Sequence, residues 1–217
     1  MGHIPHLVVD PGWDGPTIAV VDQQRRHLDS VLRRSAGDPV TYTDGQGSTG
    51  SGTWTGERIE RGAERSVPAP SPKLTVAVSP PDSKDRVRWL VEKATEVGIW
   101  RIRWLRAAHT QGRIPRHDRC IAWMIGAVEQ SRAAWYTQID DAWSRLDELE
   151  RPLAAAQSGG MFPSFASDLT VAVGPEGGWA PGELPDSVVR FGLGDRILRT
   201  ETAVVALGAI AAARRSD

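Results

Sequence analysis

The chain of 217 residues holds one cysteine, Cys120. A lone thiol excludes an internal disulfide framework and any zinc site built on cysteine pairs. Cys120 itself reads as a small apolar residue on a helix rather than as a reactive thiol. The five histidines, His3, His6, His27, His109 and His117, show neither an HExxH pattern nor paired ligand spacing, so no metal is expected. Long hydrophobic runs are missing as well. The longest, Ala203–Ala213, falls far short of the ~20 residues that a membrane helix needs. No charged-then-apolar leader opens the chain, and the expected compartment is the cytoplasm. An excess of one charge is absent too: 26 basic against 27 acidic residues leave a formal net charge of -1. The molecule as a whole therefore has no attraction for nucleic acid, and local clusters must decide. Two are present, Arg25, Arg26, His27, Arg33 and Arg34, then Arg113, Arg116, His117 and Arg119. Each is either a solvated face or a set of phosphate contacts.

What is present is an ordinary globular composition, 40% hydrophobic and 24% charged, long enough for one large domain or two modest ones. Up to about residue 67 the pattern is of short strands. Leu7–Val9, Ile18–Val21 and Val40–Tyr42 are divided by Pro11-Gly12, Asp14-Gly15 and Gly37-Asp38, as in a small β barrel or sandwich. Leu28, Val31 and Leu32 at helical spacing predict a helical turn or two over Arg25–Arg33. Gly45–Gly52 reads as a hairpin tip or loop. The alternating prolines of Val67-Pro68-Ala69-Pro70-Ser71-Pro72 mark an extended, semi-stiff connection and the domain boundary, giving domains at 1–70 and 71–217.

Beyond that boundary strands alternate with helices, which implies parallel βαβ units and an α/β sheet domain. Leu74–Ser79, Ile99–Leu105, Leu169–Val173 and Val188–Leu193 read as strands. Val87, Leu90, Val91, Ala94 and Val97 form a helical stripe closed by Gly98. Cys120, Trp123, Met124, Ala127, Val128 and Ser131 form a second stripe, Leu146, Leu149 and Leu153 a shorter one, and Thr200–Arg215 a final helix. Trp89, Trp100, Trp104 and Trp123 sit on apolar periodicities and read as core, while Trp179 is kept as a candidate site residue.

Two loops carry the chemistry. Gly174-Pro175-Glu176-Gly177-Gly178-Trp179 directly follows the Leu169–Val173 strand, and ligands of parallel sheets sit beyond such carboxyl ends. Glycine there lets the backbone approach a ligand and take positive φ. A plain tight turn before a short helix is the other reading. The loop is not a Walker A element, since the required Lys and Ser/Thr are missing. The second loop, Gly192-Leu193-Gly194-Asp195-Arg196-Ile197-Leu198-Arg199-Thr200-Glu201-Thr202-Ala203, joins a strand end to a helix start. Glu201 follows Thr200 directly, so it cannot complete a capping box, although an acid there also suits the helix dipole.

GPEGGW followed by LGDRILRTETA resembles the C-terminal signature of the RsmE family, the 16S rRNA uridine-N3 methyltransferases of the SPOUT superfamily. Lys84–Gly98 (KDRVRWLVEKATEVG), Glu129-Gln130-Ser131-Arg132, and His27-Leu28, Val31-Leu32-Arg33 and Gly37-Asp38 are similar to further elements of that family, in the same order. The resemblance implies an S-adenosyl-L-methionine-dependent methylation of N3 of a uridine in 16S rRNA, on the small ribosomal subunit. It further implies a homodimer and a PUA-like RNA-binding β barrel ahead of a SPOUT-type parallel sheet with a C-terminal trefoil knot. The cofactor residues it implies are Ala156, Gln157, Gly174, Pro175, Glu176, Gly177, Gly178, Leu193, Gly194, Ile197, Leu198 and Arg199, with the strand end running on to Ser158. Arg199 is the candidate for stabilising charge on the acceptor base, and Glu201 for orienting groups or accepting a proton. Arg33 and Arg34 on the barrel, with Lys84 and Arg132 near the catalytic cleft, are the candidate RNA contacts. The chain departs from the family at Ile4-Pro5-His6, at Ala133 and at Trp135-Tyr136-Thr137, all on the expected RNA face. Another SPOUT enzyme acting on a different base, and a non-catalytic RNA-binding or assembly protein, are the rival readings.

Overall fold

Two identical pentapeptides, Leu74–Val78 and Leu169–Val173, both Leu-Thr-Val-Ala-Val, become neighbouring parallel strands in register, Leu74 against Leu169 through Val78 against Val173. Every residue of both is buried, as β-branched, apolar runs require when helices or loops cover both faces of a sheet. The structure, a computed structural model, describes residues 4–150, 153–157, 161–163 and 165–215. It divides into two units, residues 1–69 with 128–136 and residues 70–127 with 137–217.

In the first unit the elements are β1 (His6–Val8), β2 (Thr17–Ala19), α1 (Asp22–Arg26), β3 (Pro39–Thr43), β4 (Ser48–Trp54) and β5 (Arg58–Ser66). They form one five-stranded sheet of order β1-β3-β4-β5-β2, in which β1 runs parallel to β3 and the other pairs are antiparallel. Leu7, Val9, Ile18, Leu28, Val40, Tyr42, Trp54 and Ile59 make its core. The buried Tyr42 hydroxyl donates to Glu64 (2.6 Å), which also accepts from Nε and one terminal nitrogen of Arg61, each at 2.7 Å.

Two local expectations are corrected here. Only Gly45–Gly47 of the Gly/Ser run precedes the strand; Ser48–Gly52 lie within β4. A Cβ on Gly50 would stand 2.5 Å from the Tyr42 ring, so glycine here makes room for a core aromatic instead of supplying flexibility. The helical turns expected over Arg25–Arg33 do form, but their apolar stripe of Leu28, Val31 and Leu32 breaks. After α1 the chain continues as a π-type turn over His27–Val31, which buries Leu28 and leaves Val31 65% exposed. Residues 128–136 group with this unit. The Glu129 carboxylate accepts from the Val8 amide (3.2 Å) and the Gln24 side chain (3.1 Å), and the Trp135 indole donates to the Val67 carbonyl (2.9 Å).

The second unit carries β6 (Leu74–Val78), α2 (Lys84–Glu96), β7 (Arg101–Leu105), α3 (His117–Ser131, its end from Val128 grouping with the first unit), β8 (Gln138–Ser144), β9 (Leu153–Ala156), β10 (Leu169–Val173), β11 (Val189–Phe191) and α4 (Thr200–Arg215). Six strands form an all-parallel sheet of order β11-β9-β10-β6-β7-β8, so the α/β expectation holds. On α2 the predicted stripe is buried at Val87, Leu90, Val91 and Ala94, and Gly98 takes φ +73° where the helix ends. Cys120 is buried, which pushes its thiol up to about 11, as befits a residue that packs and does not react.

The helix expected over Leu146–Leu153 is instead one 3-10 turn, Leu146–Glu148, followed by β9. Glu148 closes that turn by accepting from the Arg145 amide (2.8 Å), and Leu149 and Leu153 enter the same core cluster from a turn and a strand. The tryptophan expectation also divides. Trp104 is 1% exposed, but Trp89 is 40% exposed, and Trp100 and Trp123 are half-buried. Trp100 lies beneath the Lys73 ammonium, 4.3 Å from its ring centre. Among the described residues no helix is long and apolar enough to cross a membrane.

Candidate active site

The strand order reverses between β6 and β10: β7 and β8 extend the sheet on one side, β9 and β11 on the other. A crevice opens beyond the carboxyl ends of parallel strands at such a point. On the β10 side of this point a cavity of about 600 Å³ lies at the ends of β9, β10 and β11, lined by Ala156, Gln157, Val173–Glu176, Gly178, Trp179, Gly192–Thr200 and Ala203. That volume lies within the range of sites for drug-sized molecules. Of the twelve predicted cofactor residues, all but Gly177 line it; Ser158 lies outside the described residues.

The two loops are shaped by close packing. A Cβ on Gly174 would lie 2.9 Å from the Trp179 indole, so only glycine lets the loop fold back over that ring. The indole N–H in turn donates to the Ala156 carbonyl (3.3 Å), tying the loop after β10 to the end of β9. Gly178 and Gly194 take φ +70° and +116°, backbone conformations that a side chain would strain. The Thr200 hydroxyl donates to the Gly174 carbonyl (3.2 Å), joining the start of α4 to the same loop. Glycine backbone, the indole and the side chains of Leu193, Ile197 and Leu198 thus surround one space. Ile197 is fully exposed.

Beside the cavity, Arg86 of α2 grips Glu201 of α4. Its Nε donates to Oε1 at 2.8 Å and its terminal nitrogen to Oε2 at 2.7 Å, the fork geometry of a bidentate pair. The same nitrogen lies 2.5 Å from Glu176 of the Gly-rich loop. The Glu201 side chain is 9% exposed and that of Glu176 55%. Burial alone would raise the Glu201 carboxyl, but the Arg86 hydrogen bonds outweigh it and hold the group below its ordinary value. Those bonds also raise Arg86. Glu201 is therefore ionised, with both oxygens engaged, and is built to orient its neighbours. Arg86 went unrecognised in the sequence, 115 positions from its partner. The usable signal was Glu201 itself, because an acid in the first turn of an apolar helix needs a cation once it is buried. Arg199 stands exposed on the cavity wall immediately before α4.

A second cavity of about 300 Å³ adjoins the first, sharing Pro175, Glu176 and Thr200 and adding Ser79–Asp82, His109, Gln111, Gly112 and Gly177. Gly177 belongs here, where its missing side chain accommodates His109: an added Cβ would meet the His109 Cβ at 3.0 Å. His109 Nδ1 lies 3.1 and 3.2 Å from the carbonyl oxygens of Gly177 and Gly178. Carbonyls only accept, so Nδ1 carries the proton that these two oxygens share. The sequence reading did not single out this histidine either.

The four predicted RNA contacts are divided. Arg33 (φ +51°), Arg34 and Arg132 (φ +59°) belong to the first unit; Arg33 is exposed and Arg34 half-buried. Arg132 donates to the Ile4 carbonyl at 2.9 Å. Lys84 is exposed at the start of α2 in the second unit. Among the described residues no three His, Cys, Asp or Glu side chains are grouped to hold a metal ion.

Residues 68–212 match the model of the RNA methyltransferase domain family. Ribosomal RNA small subunit methyltransferase E of Mycobacterium bovis is 30% identical, over 93% of this chain and 89% of its own length. Its Bacillus subtilis counterpart is 24% identical, over 91% and 90%. The crystal structure of a Neisseria gonorrhoeae ribosomal RNA small subunit methyltransferase E bound to S-adenosyl methionine has the same fold. Its TM-score is 0.80, at 24% identity over 96% of both chains. The family match covers well over half of the chain and coincides with the sheet and its Gly-rich cavity, and on that basis the chain belongs to the RNA methyltransferase domain family.

Proposed function

We propose that this protein transfers a methyl group from S-adenosyl-L-methionine to N3 of a uridine in 16S rRNA, with the small ribosomal subunit as its substrate. The observation that carries the reading is the cavity beyond the carboxyl ends of β9, β10 and β11, walled by two glycine-rich loops. Its donor set suits the cofactor. Positive-φ glycines present backbone amides and carbonyls to a polar amino-acid end, and Leu193, Ile197, Leu198 and Trp179 offer apolar surface to an adenine. The twelve residues named from sequence hold it in this reading, Gly177 by positioning His109 and the loop behind the wall. The unit after residue 70 is taken as the SPOUT domain with its C-terminal trefoil knot, and the first unit as a PUA-like barrel that binds RNA through Arg33, Arg34 and Arg132. The protein works in the cytoplasm as a homodimer, consistent with the fully exposed Ile197 at the cavity rim.

Bound in the cavity, S-adenosyl-L-methionine supplies an electrophilic sulfonium methyl group. The chain's contribution is alignment and charge. Uridine N3 is a poor nucleophile while it keeps its proton, and releasing that proton to solvent water spreads negative charge onto the flanking carbonyl oxygens, so that N3 takes the methyl group as the sulfonium carbon–sulfur bond breaks. Arg199, on the cavity wall, stabilises that charge. Glu201 orients through Arg86, which reaches the Glu176 of the loop opposite. Lys84 contacts the RNA beside the cleft.

The reading is tested by incubating the purified chain with labelled S-adenosyl-L-methionine and small ribosomal subunits lacking modification. Label in the RNA is the expected result. With active controls in place, none on subunits or on free RNA would leave a binding protein.

A further inference from the structure

A third cavity, of about 260 Å³, continues the series. It shares Pro81, Asp82, Gln111 and Gly112 with the His109 cavity, which shares Pro175, Glu176 and Thr200 with the cofactor cavity. The three spaces therefore form one track along the carboxyl ends of the strands, within the second unit. The far member is unlike the others in charge: Lys84, Arg113, Arg116 and Arg119 all line it. Against these four cations stand Asp82 on the wall and Asp118, which pairs with Arg116 and also feels the charge of Arg119. Trp123 and Val87 form an apolar side.

The pocket is a built feature, because the loop that carries its arginines is seated on backbone. A Cβ on Gly112 would stand 2.6 Å from the Pro81 carbonyl oxygen and closer still to that of Pro80. No side chain larger than hydrogen fits there. Gly112 thus presses the 111–116 loop onto the segment leaving β6, and Arg113 of that loop and Lys84 of α2 line the same space. Arg116 and Arg119 follow at the start of α3.

We infer that this pocket holds a backbone phosphate of the RNA strand next to the methylated nucleotide, with Trp123 offering a face to the neighbouring sugar or base. Several cations converging on one concave space suit a compact anion, and Arg113 and Arg119 can present guanidinium forks to phosphate oxygens. The geometry makes the target enter sideways: a base extruded into the His109 cavity lies between the methyl donor and the anchored phosphate. Phosphate contacts position the strand and read no sequence, so the pocket sets register while the acceptor cavity selects the base. The inference rests on the RNA methyltransferase reading above.

The test compares the wild-type chain with the Arg113→Ala/Arg119→Ala protein on unmodified small ribosomal subunits, over a range of salt concentrations. The expected result is a KM for subunits raised about 10- to 100-fold, with cofactor affinity unchanged. The dependence of log affinity on log salt should be shallower by about one counterion. An Arg113→Lys/Arg119→Lys protein should recover the salt slope, which a merely structural lesion would not. An alanine variant with wild-type KM and salt slope would overturn the inference. If the wild type methylates no RNA, the functional reading fails first. The pocket is then judged on binding of a fluorescein-labelled RNA strand alone, where an unchanged salt slope in the alanine variant again overturns it.

Discussion

The Arg86→Ala protein is expected to unfold at a markedly lower temperature and to lose most of its methyl transfer. Truncating Arg86 leaves Glu201 buried, ionised and without the fork that engages both of its oxygens. Removing one member of a buried ion pair costs about 3–5 kcal/mol, and because Arg86 is partly solvated a figure near the lower end is expected. For a chain of this length that corresponds to roughly 6–12 °C in Tm. The activity loss follows from Glu176, which Arg86 also holds, since a loop free to shift misplaces the cavity wall. An Arg86→Met/Glu201→Leu protein should regain most of the stability, because a packed apolar pair avoids the desolvation cost, without regaining activity. The pH dependence has a definite sign. The Glu201 carboxyl titrates below its unfolded value, so its contribution is complete above that unfolded value and is lost as pH falls through the lowered folded one. Thermal unfolding from pH 7 down to 3 should show the wild type losing this increment in acid and the double variant lacking it. An Arg86→Ala protein with wild-type Tm and rate would remove the pair from the account.

The second large effect is expected at Arg199. Arg199→Ala should lower kcat about 10²- to 10³-fold, the usual cost of losing one preorganised donor to developing charge. Cofactor affinity, read by calorimetry, should change far less, because the loops offer many other contacts. Arg199→Lys keeps the charge and loses the planar fork, so it should fall between the two. A wild-type kcat in Arg199→Ala would assign charge stabilisation to another group.

The cavity was legible in the sequence because its parts are local. GPEGGW follows a continuous β-rich run, LGDRILR precedes a helix, and both loops owe their shape to glycines a few residues apart. The stripe on α2 was equally readable, since Val87, Leu90, Val91 and Ala94 are buried along one side of one helix. Misreadings arose where the determining partner lies far along the chain. Trp89 is a different case: it lies on α2 off the buried stripe of Val87, Leu90, Val91 and Ala94, so helical spacing itself turns it outward, whereas Trp104 of β7 is covered. Gly50 in β4 looked like loop because the Tyr42 ring that requires it comes from another strand. Leu146, Leu149 and Leu153 match helical spacing by chance, reaching one core from a turn and a strand. Arg86 with Glu201 and His109 with Gly177 were invisible for the same reason, being contacts between elements that only the parallel sheet brings together.

The most direct test of the central claim identifies the methylated atom. RNA from unmodified small subunits treated with the protein and S-adenosyl-L-methionine is digested to nucleosides and resolved by mass spectrometry. The account predicts 3-methyluridine, absent when the cofactor is withheld and reduced about 100-fold or more in initial rate with Arg199→Ala. Methylation confined to another base, or to a ribose oxygen, would contradict it.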